Sequence, residues 1–147
     1  MGGHPYWYFV KYEPDVGEAL QRLRLREFRA GRYNPAIAFP DFPVNDTTPA
    51  PGAKHASIED ALEDAMADGT RSILDIFRVA EEPDFFTASP LPSATLQALY
   101  GTQKPSRTLV ENNMGFAEDV ERLQCAYIIL WNDGIPDEIL FFGYSAD

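Results

Sequence analysis

The chain has 147 residues, 45% of them apolar and 13% aromatic, with a formal net charge of −11. Those values belong to a folded chain rather than a disordered tail. The acidic balance excludes general nucleic-acid binding, which needs cations to displace counterions from phosphate. One cysteine excludes an internal disulfide and suits a reducing compartment.

The N-terminal residues show no cationic region followed by an apolar one, so no export signal is expected. No apolar run approaches the roughly 20 residues that span a bilayer. The expectation is one globular domain over residues 1–147, located in the cytoplasm. Residues 6–12, Tyr-Trp-Tyr-Phe-Val-Lys-Tyr, read as a first strand with aromatic groups on both faces. Asp15, with Glu18 three residues later, caps a helix predicted to run to about Ala30 and to stop at Gly31.

Residues 34–56 contain Pro35, Pro40, Pro43, Pro49 and Pro51, which forbid regular helix or central strand. Phe39, Phe42 and Val44 in the first half should pack on the sheet, and the second half should form a mobile loop. Ser57 caps a second helix over residues 58–67. Residues 72–79 read as a strand and 81–92 as a loop. Ser93 caps a short helix to Tyr100, and a further helix is expected from Ser106 to about Leu123, with a break near Asn113 and Gly115.

The last stretch organises the rest. Residues 126–131 and 139–144 are two apolar runs flanking Asn132-Asp133-Gly134, the pattern of a β-hairpin, with Pro136 holding the ladder open near the turn. Neither run alternates, so each strand should be covered on both faces and lie in the middle of the sheet. The fold class is α+β: a mainly antiparallel four-stranded sheet ending in this hairpin, with three to four helices packed on it. The helices promise cover for only one sheet face, which points to a homodimer covering part of the other.

Residues 22–32 hold five arginines and one acid, in a chain that elsewhere carries seven basic and twenty-two acidic residues. Helical spacing puts Arg22, Arg26 and Arg29 on one ridge, with Arg32 and Tyr33 past the helix end. The plain reading is a solvated face paired with acids. The functional reading is a site for an anion or an acidic partner, because guanidinium forks match carboxylate and phosphate. Glu27 falls inside the apolar stripe, so it should pair with a neighbour such as Arg24 or serve as a buried acid suited to general acid or base work.

Asp64, Asp68, Gly69 and Asp75 imitate a calcium loop, but Met66 replaces a ligand and Asp75 is too short for the last position. Gly143-Tyr-Ser145 lacks the second glycine of a nucleophile elbow. His4 and His55 fall in segments expected to be flexible, and Cys125 opens a core strand. No metal ligand set or cofactor motif is read. The expected function is a protein-interaction or regulatory module whose partner is another protein or a second copy. The alternative is an enzyme or binder of an anionic small molecule, using the arginines, Tyr33 and Glu27.

Overall fold

β1 (Pro5–Lys11) is followed by α1 (Val16–Ala30). The computed structural model describes residues 3–147, so Met1 and Gly2, the start of the stretch read for an export signal, lie outside the described residues. The Asp15 side chain accepts the Glu18 amide at the head of α1, and Gly31 ends the helix at φ 76°, both as predicted. The carbonyl of Gly52 occupies the space a side chain on residue 31 would need. The Gly52 amide also donates to the Ala30 carbonyl at 2.9 Å. Gly31 therefore ends the helix and lets the proline-rich strap, residues 34–56, close against it.

α2 (Ile58–Ala65) is capped by Ser57 and ends two residues early. Ser72 does not start a strand. Its hydroxyl accepts the Leu74 amide and caps a 3₁₀ turn, Ile73–Asp75, leaving only β2 (Arg78–Val79) extended. The loop expected over residues 81–92 contains β3 (Thr87–Pro90). In α3 (Ser93–Tyr100), Ser93 is the first helical residue and gives no side-chain cap. α4 (Arg107–Asn112), capped by Ser106, stops at Asn113, and a 3₁₀ turn (Gly115–Asp119) replaces the rest of the expected helix. β4 (Cys125–Asn132) and β5 (Ile135–Tyr144) form the C-terminal hairpin.

The sheet order is β1-β5-β4-β3-β2. β5 is antiparallel to both β1 and β4, whereas β3 is parallel to β4 and β2 parallel to β3. The class is α+β as expected, but the sheet is five-stranded and mixed rather than four-stranded and mainly antiparallel. Pro136 does not hold the ladder open: it pairs with Trp131 beside a bulge at Leu130/Trp131.

The consecutive apolar runs have a simple explanation. Ile139, Phe141 and Cys125 face α1 with Tyr6, Tyr8, Leu20 and Leu23. Leu140, Phe142, Ile128 and Leu130 face the opposite layer with Val110 and Phe116. Both faces are covered within the chain, which removes the reason for expecting a second copy on an open face. Among the described residues no helix is long and apolar enough to cross a membrane.

Because β4 and β5 are paired on both edges and buried on both faces, their amides should exchange most slowly. Phe141, fully buried at the centre, should cost about 3–5 kcal/mol when cut to Ala, read from denaturant midpoints. Fast exchange across both strands would contradict this packing.

Candidate functional site

α1 lies across one sheet face and presents two flanks. On the side of β2, the Gln21 amide donates to the Phe77 carbonyl at 2.8 Å and Arg24 donates to the Leu74 carbonyl at 3.1 Å. Burial lowers the pKa of the Arg24 guanidinium. On the other flank, α1 and the end of β1 border an open groove of about 1030 Å³. Arg22, Arg26 and Arg29 line it together with Lys11, Val10 and Leu25. Helical periodicity thus brings three of the predicted arginines to one groove.

Their partners differ. Arg22 is mostly exposed and pairs with Glu13 through its Nε at 3.0 Å. Arg26 donates from Nε to Glu27 Oε2 at 2.9 Å. Arg32 grips Glu27 with a fork, Nε to Oε1 at 2.9 Å and Nη2 to Oε2 at 2.6 Å. Those hydrogen bonds raise the pKa of Arg32 above the usual guanidinium value. Glu27 is fully buried, so its partners are Arg32 and Arg26, not Arg24. Three short charge-assisted bonds occupy both oxygens, so this carboxylate holds the helix end together and has no open side for acid–base chemistry.

Tyr33 is also enclosed. Its ring stacks on Phe28 at 5.8 Å, and its hydroxyl lies 2.8 Å from His55 Nδ1 while accepting the Lys54 amide at 3.2 Å. His55 Nε2 reaches Asp64 Oδ2 at 2.9 Å. The chain Tyr33–His55–Asp64 has the order of a proton relay, but its hydroxyl end is buried and its acid end is exposed. A nucleophile needs the opposite orientation. This set fastens the strap to α1 and α2. His55 belongs to that fastening and not to a flexible segment, and His4 is likewise engaged, with Nδ1 2.7 Å from the Asp147 carbonyl.

Arg29 has no acid, carbonyl or ring partner among the described residues, and neither does Lys11. In a chain with 23 acids and 12 bases, Arg29 is an unpartnered cation at the end of the groove away from Glu13, Asp15 and Glu18.

Register defines the floor. Tyr12 donates to the Asp137 carbonyl and Ser145 to the His4 carbonyl, at opposite ends of the β1–β5 pair. Even-numbered residues of β1 therefore bond to β5, and Trp7, Phe9 and Lys11 turn their main-chain groups outward. No described residue hydrogen-bonds to that edge. Phe42 of the strap covers its first half, with ring centroids 6.2 Å from Trp7 and 5.1 Å from Tyr8. Past Phe9 the edge meets the groove at Val10 and Lys11. Lys11, Val10 and Leu25 escaped the sequence reading because only the β1–α1 docking brings them beside the ridge.

Two buried groups lie elsewhere. Burial pushes the Cys125 thiol far above its usual pKa, which leaves it inert. Asp75 Oδ1 accepts the Thr70 amide and hydroxyl, both at 2.9 Å, while Oδ2 has no partner. Burial raises its pKa against the opposing effects of those bonds and Arg24. Asp75 lines neither of the two grooves beside α1, and with Asp64 held by His55 no group of three candidate metal ligands forms among the described residues.

Comparison with family models, with curated proteins and with solved structures finds no match. The groove therefore rests on its own geometry.

Two measurements check these assignments. Glu27→Ala leaves the largely enclosed Arg32 without its carboxylate and should destabilise the fold by about 3 kcal/mol in urea titrations. Asp75 keeps its proton to higher pH folded than unfolded, so its contribution lowers stability as pH rises from its unfolded to its folded pKa, then levels off. Asp75→Asn keeps an acceptor for Thr70 and should abolish that decline. An unchanged pH–stability profile would contradict it.

Proposed function

We propose that the chain is a protein-interaction module acting in the cytoplasm, which takes up an extended acidic segment of a partner along the β1–α1 groove. The observation that carries this reading is the bare main-chain edge of β1 at Phe9 and Lys11, beside a groove whose helical wall carries Arg29. An added strand finds main-chain donors and acceptors on such an edge, and its alternate side chains point between strand and helix. Val10 and Leu25 give those side chains apolar contact, while Arg29 favours a carboxylate at the C-terminal end of α1. Glu13, Asp15 and Glu18 at the other end of the groove favour a base there, so the site has a polarity along the strand.

The enzyme reading loses its residues rather than its space. Glu27 is sealed by two guanidinium groups, Tyr33 is enclosed, and the groove is an open trough, so nothing excludes water from a reacting group.

The probe is a synthetic extended peptide alternating valine and glutamate, titrated into isotope-labelled protein. Amide shifts should concentrate at Phe9, Lys11 and the exposed flank of α1. Arg29→Ala should weaken binding by about 1.5–3 kcal/mol with the fold unchanged, and Arg29→Lys should rescue only in part, since a point charge lacks the guanidinium fork. A valine–lysine peptide should bind less tightly. Shifts confined to other surfaces, or equal affinity for both peptides, would reject the reading.

A further inference from the structure

The sheet has a second edge, and its chemistry differs from that of β1. β2 is two residues long and pairs only with β3. Beside it Phe77, Phe85 and Phe86 are 43%, 59% and 39% exposed. Phe77 stacks on Phe86 at 5.2 Å, and Phe85 lies 6.4 Å from Phe86. The other large exposed apolar groups are scattered or engaged, as Phe39 is beneath Arg71 and beside His4. Three contiguous exposed rings are unusual on an acidic surface.

The rings are held there by the main chain. Phe86 has φ 60°, a conformation that costs a bulky residue energy, and it is fixed by two backbone bonds. Its carbonyl accepts from Phe77 at 2.8 Å and its amide donates to Leu123 at 2.7 Å. An outward Phe at a position that glycine would fill more easily points to a contact made by the ring.

We propose that this edge is the surface on which two copies of the chain associate, β2 against β2 about a two-fold axis. Chain order and charge choose a second copy over an unrelated partner. A two-fold axis perpendicular to β2 makes the paired strands antiparallel, so residues after β2 in one copy lie beside residues before β2 in the other. The residues after it include Glu81 and Glu82, both exposed, while Asp84 pairs with Arg78 of its own copy at 3.4 Å. Before it stands Phe77, with the Arg24 guanidinium 5.5 Å from its ring centroid. The edge is therefore self-complementary, cation and ring facing acid twice over. At roughly 3.3 Å per residue, a two-residue strand keeps the two ring clusters close enough to touch across the axis. This surface is on the opposite edge from the β1 groove, so one can fail while the other stands.

The test is sedimentation equilibrium of the full chain over a concentration series. The expected species is twice the 16.5 kDa chain. Phe85→Ser removes one exposed ring, and Phe86→Gly removes a second while relaxing its backbone, so both variants should fold at least as well as the parent. Each should weaken the dimer by about tenfold or more, a change of about 1.4 kcal/mol. Glu81→Lys, facing Arg24 of the copy, should weaken it as well. A chain that stays monomeric up to roughly 100 µM, or a dimer whose dissociation constant ignores all three substitutions, overturns the proposal.

Discussion

The structure depends on one constraint: β5 is apolar on both of its faces. Ile139 and Phe141 need cover on one side and Leu140 and Phe142 on the other. Leaving either face wet would forfeit the burial of several large side chains, each worth about 1.5–3 kcal/mol. Every regular helix is committed to that cover or to the layer behind it, with α1 on one face and α3 and α4 on the other. Little of either sheet face is left for a partner, and the free main-chain groups of the sheet lie at its edges, β1 and β2. An interaction reading of this fold is therefore a reading of edges.

Glu27 sorts the arginines in a similar way. A carboxylate with no exposed surface at the end of α1 requires full pairing, because an unpaired buried charge costs several kcal/mol. Arg32 supplies a two-bond fork and Arg26 a third bond. That use removes Arg32 from any role at the surface and ties down Arg26, while Arg22 is engaged by Glu13. Arg29 is what the ridge leaves over. A run of five arginines that looks like one cationic site is mostly internal pairing with one unpartnered end.

The sequence was most legible where the determining contacts are local. Asp15, Ser57 and Ser106 act on amides three residues away, and Gly31 acts through its own φ, so caps and stops could be read directly. The hairpin was legible because its runs are long and its turn is adjacent. Ser72 misled for the same reason: its hydroxyl favoured a local cap over the strand that Ile73 and Leu74 suggested. β3 was missed because Thr87–Pro90 has no long apolar run, and its pairing with β4 depends on residues nearly forty positions away. Glu27 was rightly found in the apolar stripe, but its partner was misassigned, since Arg32 reaches it only after the chain turns at Gly31. Lys11 and the Phe77–Phe86 stack carry no sequence period at all, because separate elements assemble them.

Both proposed contacts must form on a chain with a net charge of −11, against partners that are themselves acidic. Long-range repulsion opposes each, and the resolution lies in the range of the forces. At physiological ionic strength the screening length is about 8 Å, so charges spread over the surface largely lose sight of an approaching partner. Close pairs, such as a carboxylate against Arg29 or against the Arg24–Phe77 stack, act inside that distance and in a partly dehydrated setting. Local complementarity can therefore decide which acidic segments dock, while the global charge keeps unmatched copies apart. In such a protein an unpartnered guanidinium carries more information than it would on a balanced surface, since acids able to satisfy it are everywhere except where the fold has left it free.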